Sequence, residues 1–306
     1  MEASLRNRLT FGPIMLAALG LILWLDHAAE GWTRPWAQRT FGMDEGVGGI
    51  GLMVLLLIVV PLATIELATL FAAERVKPYR IISVLGSWAI IVHAFLTQFP
   101  RFKPIAASSL AFVIVFVMLF AALRRAWGKQ TQDAIVHMAG TVLATLYLGG
   151  LSWFLIALRV KQSSHVVGTT MVILMILLVV KFTDIGAYFG GRALGRHKLI
   201  PWLSPGKTWE GLACGMLTAG AVGAICAALI SPENPGDPGL VWWKGFIFGV
   251  VIGGIGQLGD LLESLMKRDA EVKDSGASIP GFGGVLDVID SPLLAAPFAY
   301  LLFSLF

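Results

Sequence analysis

Residues 46–73 read GVGGIGLMVLLLIVVPLATIELATLFAA, a stretch of 28 residues with one ionisable side chain, Glu66. About 20 apolar residues in a helix cross the hydrocarbon core of a bilayer, where backbone N–H and C=O groups must pair internally. The stretch therefore predicts a transmembrane helix, kinked or tilted around Pro61. The same criterion, applied outward, selects 11–26, 80–98, 104–123, 134–158, 166–186, 210–231, 240–262 and 291–306. The predicted fold class is all-α: a polytopic integral membrane helical bundle of about nine transmembrane helices.

Composition agrees. Of the 306 residues, 57% are hydrophobic and 14% charged, against about a quarter charged in a soluble domain. One soluble core cannot hide so much apolar surface. Arg6 and Arg8 precede the first apolar run, but no small-residue cleavage site follows, so 11–26 reads as a membrane helix rather than a signal peptide. Cys214 and Cys226 share one apolar segment and read as packing residues. The net charge of +4 needs no nucleic acid, because cationic loops beside anionic headgroups account for it.

Nine spans place the termini on opposite sides. With the N-terminus inside, 16 of the 23 Lys and Arg side chains fall in inside segments and 7 outside, which predicts N-in, C-out. The outside connections 27–45, with Trp32 and Trp36, and 232–239, with Pro232, Pro235 and Pro238, read as interfacial loops. Residues 1–306 read as one membrane domain, in which 1–180 supply N-terminal helices and 181–306 hold the chemistry-bearing helices and loops. Glu66, His93 and His137 are ionisable groups inside predicted spans and so are suspects for function.

Two charged stretches follow. Residues 181–211 read KFTDIGAYFGGRALGRHKLIPWLSPGKTWEG. Asp184 sits near the membrane boundary, where a charge in the bilayer costs roughly 2.5–3.5 kcal/mol and needs a partner, water or metal. Tyr188 lies one turn on, and Arg192, Arg196, His197, Lys198 and Lys207 follow. Gly206-Lys207-Thr208 is no P-loop, since Pro201 stands where its first glycine belongs. Ser204-Pro205-Gly206 reads as a turn before a helix from about Trp209, an arrangement suited to phosphate. A basic loop attracted to anionic lipid is the plainer alternative.

Residues 259–292 read GDLLESLMKRDAEVKDSGASIPGFGGVLDVIDSP. Asp260, Glu263, Ser264 and Lys267 form one stripe on a continuing helix. Arg268, Lys273 and Asp274 follow, then a glycine-rich link, then Asp287 and Asp290. Asp290 also suits a helix N-cap before Ser291-Pro292. Carboxylates suit Mg²⁺ and cations suit phosphate, so the mixture points to phosphoryl transfer.

Residues 264–290, SLMKRDAEVKDSGASIPGFGGVLDVID, resemble the signature of the phosphatidate cytidylyltransferase (CDP-diacylglycerol synthase) family: S-x-x-K-R-x4-K-D, a Pro-Gly-His-Gly-Gly block, and D-R-x-D. Ser264, Lys267, Arg268, Lys273, Asp274, Pro280, Gly281, Gly283, Gly284, Asp287 and Asp290 match in order and spacing. The upstream DIGAYFGGRALGRHKLIPWLSPGKTWEG and the early LRNRL are similar to further family segments. Phe282 stands where the family has His, and Val288 where it has Arg.

The resemblance implies a membrane enzyme that joins CTP to phosphatidate, with Mg²⁺ as cofactor and a monovalent cation such as K⁺ left open. It implies a metal centre at Asp260, Asp287 and Asp290, with Glu263 and Asp184 as further ligands. Lys267, Arg268 and Lys273 would work at the reacting phosphates, Asp274 would be a further catalytic residue and a weaker metal candidate, and Ser204, Lys207, Ser264, Tyr188 and Arg192 would bind substrate. The expected location is the inner, cytoplasmic membrane, with the site facing the cytoplasm. Membrane lipids are the expected partners, and small-residue faces suit helix contacts within a protomer or across a homodimer. The competing readings are a CTP-dependent enzyme of another lipid, such as a lipid-alcohol kinase or a different CDP-lipid synthase, a silent relative, or a transporter.

Overall fold

The structure, a computed structural model, describes residues 2–129, 131–161, 169–229 and 240–305. It is a polytopic bundle of membrane helices: α1 (Glu2–Phe41), α2 (Ile50–Ala73), α3 (Arg80–Leu96), α4 (Ala106–Trp127), α5 (Ala134–Thr145), α6 (Leu151–Val160), α7 (Thr169–Leu194), α8 (Trp209–Leu229), α9 (Trp242–Asp269) and α10 (Leu286–Leu305). A π-turn, Leu146–Gly150, joins α5 and α6 into one span. Among the described residues eight helical stretches are long and apolar enough to cross a membrane, and α3 is apolar but has 17 residues. A two-stranded antiparallel hairpin, β1 (Lys198–Ile200) and β2 (Ser204–Thr208), stands between α7 and α8.

The chain divides into two compact units. The first comprises Met1–Val160 and Asp269–Val288. Its helices meet at small residues: a Cβ on Gly86 of α3 would stand 2.5 Å from Val117 of α4, and one on Gly149 would stand 2.6 Å from the Ser87 backbone. Several polar groups inside it are paired, as lipid surroundings favour. Pro61 has no N–H to give the Leu57 carbonyl, and Trp88 Nε1 of α3 donates to that oxygen instead at 2.9 Å. His93 Nδ1 accepts from Trp153 Nε1 at 3.0 Å, so its Nε2 is the protonated nitrogen and donates to the Ala106 carbonyl at 2.8 Å. His137 Nδ1 accepts the Lys77 N–H. Both histidines are thus tied into helix packing.

The expected outside loop 27–45 is corrected: α1 runs unbroken to Phe41. Asp26 and Glu30, one turn apart on α1, take the guanidinium of Arg159 at 2.6 and 2.8 Å. Arg159 is 2% exposed, and Asp26 also accepts the Gly51 N–H at 2.7 Å. This pairing gives the polar part of α1 a helical face to present inward. The proline-rich 232–239 lies outside the described residues.

The second unit comprises Lys161–Arg268 and Ile289–Phe306. Its helices pack through small residues, which permit close backbone approach. A Cβ on Gly190 of α7 would collide with Cys214 of α8, and one on Gly245 of α9 would stand 2.5 Å from Ala227 of α8. On α9, Gly259 faces the Ser291 Cα at 3.0 Å and the Asp290 carbonyl at 3.3 Å, measured to the position of an added Cβ.

Candidate functional site

The site of the second unit is assembled on α9. The helix runs on past its apolar part to Asp269, so Gln257, Asp260, Glu263 and Lys267 recur at one-turn intervals on one side. Gly259 lets α10 approach, and that approach delivers Asp290. One oxygen each from Asp260, Glu263 and Asp290 lies within 4.8 Å of the others. Glu263 is 1% exposed and Asp290 3%. Asp290 is no N-cap, because α10 begins at Leu286 rather than at 291.

Three carboxylates cannot share so small a space without compensating charge. Two lysines supply part of it. Lys207 Nζ lies 2.6 Å from Asp260 Oδ2, and Lys267 Nζ donates to Glu263 Oε2 at 3.0 Å. Lys207 is placed by the hairpin. Thr208, the next residue, caps α8 by accepting the Gly211 N–H at 3.1 Å. The turn of that hairpin is at 201–203, and Ser204-Pro205-Gly206, expected as a turn, forms the start of β2. Nothing in that tripeptide's pattern signals a strand; the pairing with Lys198–Ile200 creates it.

With both lysines charged, the cluster keeps one negative charge in excess, which suits a cation. Oxygen ligands at about 2.0–2.1 Å from one Mg²⁺ lie at most about 4.2 Å apart. Small side-chain adjustments would therefore close these three carboxylates on a single ion. Hard oxygen donors alone make the cluster fit for a metal of the Mg²⁺ type.

The other expected residues are placed as follows. Asp184 on α7 is half-buried and accepts from Gln257 Nε2 at 2.7 Å. Tyr188 and Arg192 are exposed on α7 and meet at 3.4 Å. Ser264 on α9 and Ser204 on β2 are half-buried, and Arg268 is exposed. Gln257 was not singled out from sequence; a polar residue inside a glycine-rich apolar helix, one turn before Asp260, is the signal that could have found it.

Within the first unit, Lys273 and Asp274 are exposed. Asp287 is half-buried at the start of α10. Its carboxylate accepts from the Gly284 N–H at 2.6 Å and the Ser275 N–H at 3.1 Å. Glycines are required beside it: Gly281 and Gly283 have φ of 85° and 99°, a region that side chains avoid. Phe282, at the family's His position, sets its ring against Gly12 of α1, 3.4 Å from where a Cβ would stand.

Comparison with known proteins adds four findings. A family model described as "Cytidylyltransferase family" matches residues 40–306. The chain is 35% identical to a phosphatidate cytidylyltransferase of Haemophilus influenzae over 63% of this chain and 65% of that protein. It is 38% identical to one of Brucella suis over 55% of this chain and 58% of that protein. It is 29% identical to one of Bacillus subtilis over 84% of this chain and 91% of that protein. The match thus spans less than two thirds of the first two relatives.

Proposed function

The chain belongs to the cytidylyltransferase family, and from that premise we propose that it transfers the cytidylyl group of CTP to phosphatidate, giving CDP-diacylglycerol and pyrophosphate. The observation that carries this reading is the group of half-buried Asp260 with buried Glu263 and Asp290, and Lys207 and Lys267 on its oxygens.

The chemistry balances without a protein nucleophile. A phosphate oxygen of phosphatidate attacks the α-phosphorus of CTP, the bond from that phosphorus to the β-phosphate bridging oxygen breaks, and pyrophosphate leaves with the electron pair. No proton need move. The barrier is the repulsion of two polyanions and their alignment. Mg²⁺, held by Asp260, Glu263 and Asp290, would supply charge neutralisation and orientation of phosphate oxygens. Lys207 and Lys267 hold Asp260 and Glu263 in position and bring two ammonium groups to the same place, where phosphate is their natural partner. Gln257 fixes Asp184 and keeps its carboxylate turned toward α9. Arg268, Lys273 and Asp274 carry the signature's further charges, and Ser204, Ser264, Tyr188 and Arg192 are the remaining substrate contacts of the proposal. The lipid enters from the inner leaflet of the cytoplasmic membrane, and CTP arrives from the cytoplasm.

The test is direct. Purified protein in lipid nanodiscs is given CTP labelled at the α-phosphorus, Mg²⁺, and phosphatidate or diacylglycerol. Labelled CDP-diacylglycerol with pyrophosphate from phosphatidate supports the proposal. CDP released with diacylglycerol would make the chain a lipid kinase, and turnover with neither lipid would remove the assignment. Phe282, packed on Gly12 rather than offering an imidazole, is the reason to include lipids other than phosphatidate in the panel.

A further inference from the structure

Glu66 sits in the apolar α2, two turns before its C-terminal end, 6% exposed, and sequence alone gives it no partner. In the structure both its oxygens are engaged from a segment more than two hundred residues away. Oε1 accepts from Ser278 Oγ at 2.5 Å and from the Val285 N–H at 3.0 Å. Oε2 accepts from the Leu286 N–H at 2.8 Å and from Ser275 Oγ at 3.4 Å. The last two N–H groups stand at the start of α10, where a carboxylate is favoured by unpaired N–H groups and the helix dipole. The glycine-rich chain closes around the same carboxylate: a Cβ on Gly276 would stand 2.6 Å from Oε1, and one on Gly284 2.5 Å from Oε2. Asp287 meanwhile accepts from Ser275 N and Gly284 N. The segment 275–286 is therefore pinned by two carboxylates, one from its own helix and one from α2.

We infer that Glu66 is a positioning residue for the signature segment 275–286, and so sets the turnover of the enzyme although it lies outside the signature itself. The inference rests on the cytidylyltransferase reading for its activity readout. Its structural half stands independently. A buried hydroxyl or N–H that loses its acceptor keeps its desolvation penalty, so removing the carboxylate loosens the segment rather than merely removing one contact.

The test compares wild type with Glu66→Gln and with the milder Ser278→Ala, both in nanodiscs. Hydrogen exchange is read at the amides of 275–286 and, as an internal reference, at α2. The kinetic constants for CTP are measured alongside. Glu66→Gln is expected to raise exchange at 275–286 at least tenfold with α2 unchanged. It should lower kcat at least tenfold while KM for CTP moves less than threefold, and Ser278→Ala should do the same to a smaller degree. Unchanged exchange and unchanged kcat in Glu66→Gln would overturn the inference, as would loss of protection throughout α2, which would make Glu66 a general packing residue. If wild type transfers no cytidylyl group while the exchange result holds, the functional reading fails and the positioning of the segment survives.

Discussion

At the residue scale, the two aspartates Asp287 and Asp290 show how far spacing determines role. They lie three apart on α10, and a sequence reader pairs them as metal ligands. Asp287 accepts from the N–H groups of Gly284 and Ser275, and Asp290 lies with Asp260 and Glu263. Asp290→Asn should remove a metal oxygen and lower kcat by about 10²-fold, the scale of one lost electrostatic stabiliser, and should also relieve crowding of like charge. Without divalent ions its Tm should therefore equal or exceed that of wild type, and added Mg²⁺ should raise the wild-type Tm but not that of the variant. Thermal unfolding in detergent with EDTA and with Mg²⁺ checks both. The buried Arg159 gives a second prediction at this scale. Arg159→Leu leaves Asp26 buried without its cation and should cost about 3–5 kcal/mol, whereas the double variant Arg159→Leu with Asp26→Leu should recover much of that loss. Equal instability of the single and double variants would show that the ion pair is not what Asp26 depends on.

At the element scale, the decisive contact is that of α9 with α10 at Gly259. An added methyl would come within 3.0 Å of the Ser291 Cα. Gly259→Val should therefore push α10 outward, carry Asp290 away from Asp260 and Glu263, and lower both activity and the Mg²⁺-dependent rise in Tm. Gly259→Ala should do so only mildly, because a shift of a few tenths of an ångström admits it. Most helices were legible because lipid imposes a simple rule on composition, and each predicted apolar segment has its counterpart. The misread part was 27–45. Its charges and tryptophans look like a loop, and only the approach of Arg159, 133 residues distant, makes a buried helical face of Asp26 and Glu30. The start of α10 was misplaced for a similar reason. Ser291-Pro292 looks like a beginning, but Glu66 and Asp287 supply acceptors that let the helix begin at Leu286. Long-range polar pairing leaves no local periodicity to read.

At the scale of the whole molecule, the proposed reaction needs its site on the side of the membrane from which CTP arrives. The excess of Lys and Arg on one side predicts that the hairpin 198–208 faces the cytoplasm. Lys198→Cys, in a background with Cys214 and Cys226 replaced by alanine, should react with a membrane-impermeant thiol reagent in inside-out vesicles and stay unlabelled in right-side-out ones. The chemistry-bearing residue types were legible in the sequence as two charged stretches. Their geometry was not, because the grouping of Asp260, Glu263, Asp290, Lys207 and Lys267 depends on the closeness of α9 to α10 and on a hairpin without a strand-like pattern. In the proposed function, CTP and lipid phosphate react at this group of carboxylates and lysines. The measurement that tests it most directly is the rate of CDP-diacylglycerol formation from α-labelled CTP and phosphatidate by Asp260→Asn and Asp290→Asn in nanodiscs, each checked for a wild-type fold. A fall of about 10²-fold or more in both is the predicted result, and near wild-type turnover in either would contradict it.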